Sequence, residues 1–107
     1  MQKPVFKHKY TLDDIDVIDK WCAKYEIDLL VCYYPSQDAP SVEYKYCHDM
    51  KSAFKTLYKL QGRFLPKGYA EVIAVKNNTR TLVFYQDAKK KAFYMEILKL
   101  ARREVKQ

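Results

Sequence analysis

Between positions 12 and 26 the apolar residues recur at helical spacing. Turned by about 100° per residue, Ile15, Val17, Ile18, Trp21, Cys22 and Tyr25 share one arc, with Asp13, Asp16, Asp19, Lys20 and Lys24 opposite. Thr11 stands where an N-cap belongs and Asp14 at the third helical position. Acids in a first turn suit the positive end of the helix dipole. The pattern predicts an amphipathic helix over 12–26.

Residues 27–34 are a compact apolar run broken by Asp28, the composition of a central strand. Residues 35–41, with two prolines, read as a loop. Residues 42–47 alternate strictly, so a half-exposed strand should pair with its predecessor. Asp49 is placed to cap a second helix reaching about Gln61, with Met50, Ala53, Phe54, Leu57 and Leu60 as its apolar arc. Gly62, Pro66 and Gly68 break the chain again. Residues 69–75 and 79–85 read as strands joined through Lys76-Asn77-Asn78, a tight hairpin because Asn tolerates left-handed φ. Asp87 then reads as the cap of a last helix ending near Arg103.

The order α-β-β-α-β-β-α excludes a simple doubly wound parallel fold. It predicts an α+β class: a four-stranded, mainly antiparallel sheet with the helices packed on one face. A length of 107 residues suits one domain, taken as 11–107 behind an N-terminal arm at 1–10. Ile18, Leu57, Phe93 and Ile97 are expected in its core.

Composition adds two constraints. Three cysteines, Cys22, Cys32 and Cys47, sit in no paired or metal-binding spacing and read as reduced thiols, which points to the cytoplasm. Residues 1–10 lack the apolar run of a signal peptide, and no stretch approaches a membrane span. Charge is divided along the chain. Residues 1–50 carry six Lys against nine acids; residues 51–107 carry fourteen Lys and Arg against four acids. Concentrated positive charge is the electrostatic footprint expected for a polyanion partner.

The expected last helix gathers Lys91, Lys99, Arg102, Arg103 and Lys106 on the face away from Phe93, Ile97, Leu100 and Ala101. Lys89, Lys90 and Lys91 would occupy its first turn, where the dipole penalises each cation by roughly 0.3–1 kcal/mol. Free N–H groups ringed by ammonium groups would there suit a phosphate. On the second helix Lys51, Lys55 and Lys59 lie four apart on one stripe, although like charges at that spacing repel. These ten cations are the candidate nucleic-acid contacts.

A third candidate is the sheet face the helices leave open. It would present Tyr44 and Tyr46, or Tyr33 and Tyr85, and aromatics on an open sheet stack unpaired bases. Other constellations are weaker. In Cys47-His48-Asp49, neighbouring strand residues point to opposite faces, and Asp49 is better used as a cap. Asp13, Asp14, Asp16 and Asp19 fit an acidic helix start, so neither a metal nor any other cofactor is expected. A motif-free basic ribonuclease would have only His8 and His48 as imidazole bases, and His8 falls in the arm.

The expected function is a small, non-catalytic module binding DNA or RNA mainly through phosphates. Lys far outnumbers Arg, and Arg is the better reader of base edges. The rival is a protein–protein interaction module, an accessory or inhibitor protein whose tyrosines and Trp21 anchor an interface beside a basic face. Docking of the acidic first helix on a neighbour's basic last helix would give a homo-oligomer.

Overall fold

A computed structural model describes residues 7–34, 42–61, 68–90 and 92–105. Its elements are β1 (Lys7–Lys9), α1 (Leu12–Tyr25), β2 (Asp28–Tyr34), β3 (Val42–Cys47), α2 (Met50–Gln61), β4 (Tyr69–Lys76), β5 (Thr79–Asp87), β6 (Ala92–Met95) and α3 (Leu98–Val105). The class is α+β, with helices packed against a largely antiparallel sheet. The sheet has two more strands than expected, in the order β1-β6-β5-β4-β2-β3. Neighbours are antiparallel except at one edge, where Lys7–Lys9, within the stretch expected as an arm, run parallel to β6.

The helix starts follow from their caps. Thr11 Oγ1 accepts from Asp14 N at 3.3 Å while Thr11 N donates to Asp14 Oδ2 at 2.8 Å, a reciprocal capping box. Asp49 Oδ1 accepts from Ser52 N at 2.7 Å at the head of α2, and this bond holds the Asp49 carboxyl below the usual range. The β4–β5 hairpin turns on Asn77 (φ 50°) and Asn78 (φ 65°), both left-handed, which matches the twist of the flanking strands.

Strand alternation divides the side chains between two faces. Leu29, Val31 and Tyr33 of β2, Ala70, Val72 and Ala74 of β4, and Met95 of β6 belong to the buried core. So do Val83 and Phe84 of β5, where an irregularity in register turns both inward. From the helical layer they meet Ile18, Trp21 and Cys22 of α1, Met50, Ala53 and Leu57 of α2, and Ala101 of α3. Ile18 and Leu57 are therefore core residues, and Ile97 packs at the core's margin. The Phe54 ring meets Phe84 edge-on at 5.0 Å, and Tyr10 stacks on Phe54 at 5.8 Å. Burial there pushes the Tyr10 phenol up to about 12.

The last helix is the main correction. Helix was expected from Asp87 onward, but residues 88–90 turn, residues 92–95 form β6, and α3 spans only eight residues. Asp87 Oδ1 does accept from Lys89 N at 3.0 Å and Lys90 N at 3.2 Å. An Asp that caps a helix and an Asp that closes an Asx turn accept the same local N–H groups, so the residue type alone does not separate them. The four residues Ala92–Met95 are claimed on both sides, by β5 and by β1. That tertiary pairing overrides a helical period which the strand's residues also satisfy. Phe93 lies on β6 opposite Gln86; the core assignment of its side chain falls outside the described residues.

Candidate functional site

Lys89 and Lys90 are exposed, but they sit in the β5–β6 hairpin turn and not at a helix N-terminus. The phosphate site expected from helical N–H groups is therefore not formed there. Lys91 and Lys106 lie outside the described residues. On α2, Lys51, Lys55 and Lys59 are exposed, and Lys51 Nζ stands 3.4 Å from Asp16 Oδ1 of α1. On α3, Lys99, Arg102 and Arg103 are exposed, and the Arg102 guanidinium bonds Asp14 of α1. Arg102 and Arg103 occupy the last turn of α3, where the dipole favours cations.

The acidic helix thus meets both basic ones within a single chain. Asp14 is buried at 6% exposure. Burial pushes its carboxyl up, but the Thr11 N–H and Arg102 outweigh that and leave it below the usual range. Asp19 Oδ1 accepts from Met50 N at 2.6 Å, at the head of α2. There burial wins, with help from Asp49, and the Asp19 carboxyl is raised. Asp14, Asp16 and Asp19 therefore diverge to α3, to Lys51 and to the α2 backbone. The complementarity considered for two neighbouring molecules is used inside one. Of the ten candidate cations, Lys55, Lys59, Lys99 and Arg103 on the helices and Lys89 and Lys90 in the turn are exposed with no ion pair among the described residues.

Trp21 is also committed internally. It is 5% exposed, and its Nε1 donates to Glu104 Oε2 at 2.7 Å, so it anchors α3. The Glu104 carbonyl accepts from Lys24 Nζ at 2.8 Å and from Tyr25 OH at 3.3 Å. Cys47 is buried, with its sulfur 3.8 Å from Thr56 Oγ1; His48 is exposed 3.5 Å from Asp28; Asp49 caps α2. The three adjacent groups point apart, as alternation requires.

The face of the sheet away from the helices carries a different pattern. Tyr34, Tyr69, Tyr85 and Tyr94, from β2, β4, β5 and β6, form one row of touching rings. Tyr34 meets Tyr69 edge-on at 5.4 Å; Tyr69 and Tyr85 are 6.4 Å apart with planes tilted 31°; Tyr85 and Tyr94 are 5.3 Å apart at 33°. Each such contact contributes about 0.5–1.5 kcal/mol beyond area burial. Tyr34 lies opposite Tyr69 and Tyr85 opposite Tyr94, so strand register sets the row.

Carboxylates accompany the row. Glu71 pairs across strands with Tyr85, and its Oε1 accepts from Tyr69 OH at 2.7 Å. Asp87 lies opposite Tyr69. Burial raises the Tyr69 phenol, and Glu71 and Asp87 push it further; burial also raises Tyr85, with Glu96 and Asp87 adding to it. Ile73, Val75 and Leu82 continue this half-exposed face toward the β4–β5 hairpin.

Of the tyrosines considered for the open face, Tyr85 lies on it, and so does Tyr46, 52% exposed on the edge strand β3 opposite Leu30, which pairs in turn with Ile73; Tyr33 is buried on the helix side. The Tyr44 side chain is outside the described residues. Tyr34, Tyr69 and Tyr94 were missed, since only the cross-strand pairing aligns them; alternation within each strand was the available signal. Among the described residues, no helix is long and apolar enough to cross a membrane. Compared with protein-family models, curated proteins and solved structures, the chain matches none.

Proposed function

We propose that this chain is a non-catalytic interaction module that receives a protein partner on the tyrosine face of its sheet. The observation that carries the reading is the row Tyr34–Tyr69–Tyr85–Tyr94, half-exposed side chains on a face that no described helix covers. Tyrosines contribute large, stiff contact area with a polar tip, which is why they are enriched at interfaces. Three free, buried cysteines support a reducing, cytoplasmic setting.

Nucleic-acid binding is the second reading, favoured by Lys55, Lys59, Lys99 and Arg103, exposed on α2 and α3 in a chain of net charge +7. Contacts there would be to phosphate and salt-sensitive. It ranks second because Asp14 and Asp16 of the intervening acidic helix take up Arg102 and Lys51.

Photo-crosslinking residues placed at Ile73 on the tyrosine face and at Lys59 on α2, in the native cell, separate the two. The module reading expects protein adducts from position 73 and few from 59. Nucleic-acid adducts from 59, with none of either kind from 73, would replace it with the second reading.

A further inference from the structure

We infer that the tyrosine face recognises an arginine side chain presented by a partner protein, a specificity that rests on the interaction-module reading above. The centre of the face is acidic in a protein that is otherwise basic. Chain-wide, cations outnumber acids by seven. Yet among the described residues the charged groups acting on Tyr69 and Tyr85 are Glu71, which also bonds the Tyr69 hydroxyl, Asp87, which lies opposite Tyr69, and Glu96. Three of the four acids in residues 51–107 fall here, on β4, on β5 and just past the end of β6.

Each group has a distinct part in that recognition. Tyrosine rings offer a negative π face to a cation. Glu71 spends Oε1 on the Tyr69 hydroxyl, which fixes the carboxylate beside the rings. Asp87 is tied by two turn N–H groups and supplies charge from a fixed position. A guanidinium is planar, stacks on aromatic rings and takes a carboxylate bidentately, whereas an ammonium does neither as well. Lys89 and Lys90, exposed in the adjoining turn, repel a dense run of cations. The fitting occupant is therefore an isolated arginine flanked by neutral residues, not a polybasic tract.

The same face is poor for phosphate, because its carboxylates would oppose the backbone of a stacked nucleic acid. The general field of a +7 protein works against any cationic ligand, so binding of one must come from a local site.

The probe is a short peptide carrying one arginine among glycine and serine, titrated into isotope-labelled protein and followed by amide shifts. Matched peptides carry lysine or the neutral isostere citrulline. The expected result is saturable shifts confined to β4, β5 and β6 around Tyr69, Glu71, Tyr85 and Tyr94, in the order arginine, then lysine, with citrulline inert. Glu71→Gln keeps an acceptor for the Tyr69 hydroxyl, and Tyr85→Leu keeps apolar packing. Each should weaken binding roughly tenfold while leaving the remaining spectrum in place. Equal shifts from the citrulline peptide, shifts centred on the helices, no saturation, or Glu71→Gln binding as well as the parent would each overturn the inference. So would concentration-dependent broadening of the same residues without peptide, which would assign the face to a second copy of this chain. If the arginine peptide fails while crosslinks from Ile73 still capture a protein, the module reading stands and only the arginine specificity falls.

Discussion

Trp21 and Glu104 are 83 residues apart and joined by a 2.7 Å hydrogen bond from the indole Nε1 to Oε2, which fastens the last helix to the first. Trp21 is the only tryptophan, so its fluorescence reports the docking of α3 directly. Glu104→Ala leaves a buried indole N–H without its partner and should cost about 1–3 kcal/mol. Glu104→Gln retains an acceptor and should cost less. In a Trp21→Phe background the Glu104→Ala loss should shrink, since the orphaned donor is gone; an undiminished loss in urea titrations would show the two residues uncoupled.

Asp14 and Asp19 sit on one helix and are expected to respond to pH in opposite senses. The Asp14 carboxyl is depressed in the fold, so the unfolded chain binds its proton more readily. Its stabilisation is present above the ordinary carboxylate value of 3.8 and is lost as pH falls through the lowered one. Asp19 is raised, so the unfolded chain gives up its proton first, and that residue costs stability as pH climbs above 3.8. At pH 7, Asp14→Asn should destabilise and flatten the acid limb of the stability curve. Asp19→Asn, which retains the oxygen that accepts from Met50 N, should be neutral or stabilising. Thermal midpoints from pH 3 to 7 for both variants check the signs.

Gln86 is 5% exposed, and its Nε2 has no hydrogen-bond partner among the described residues. An unpaired buried amide donor costs about 1–3 kcal/mol, whereas an apolar group of similar shape carries no such penalty. Gln86→Met should therefore hold or raise the denaturation midpoint. A marked fall would mean that the amide is satisfied in solution.

Phe84, 1% exposed, packs against Phe54 and Tyr10 and ties α2 to the middle of the sheet. Phe84→Ala should cost about 3–5 kcal/mol, a large share of a small domain's stability. A midpoint that hardly moves would refute this placement of β5.

Lys89→Glu with Lys90→Glu would stabilise the free protein if these residues opened a helix, because acids suit an N-terminus. In the hairpin turn there is no helix dipole to relieve, and surface changes of this kind stay within about 0.5 kcal/mol. An unchanged thermal midpoint is expected.

Features that the residues carry locally were legible. Thr11 with Asp14, Asp49 with Ser52, and Asn77-Asn78 each fix a helix start or a turn within four residues. Strict alternation likewise marked β3. What failed depends on partners far along the chain. Ala92–Met95 is a strand because β5 and β1 pair with it, and nothing within its four residues states that. The tyrosine row exists only once β2, β4, β5 and β6 lie in register. The acids of α1 read as solvated until α2 and α3 close on them.

The pairing of β1 with β6, and of α1 with α3, also sets an order of assembly. The first two elements of the described chain find these partners in the last two, Lys7 opposite Ala92 and Trp21 on Glu104. The antiparallel neighbours β2, β4 and β5 are drawn from residues 28–87 and can pair before either. Until residues 92–105 have been synthesised, β1 has no strand to join and Trp21 no acceptor on α3. Closing loops of more than eighty residues is slow relative to forming the central hairpin. A chain cut before residue 92 would therefore keep the partners of its sheet centre but leave the β1 edge and the Trp21 indole uncovered, surfaces that favour aggregation.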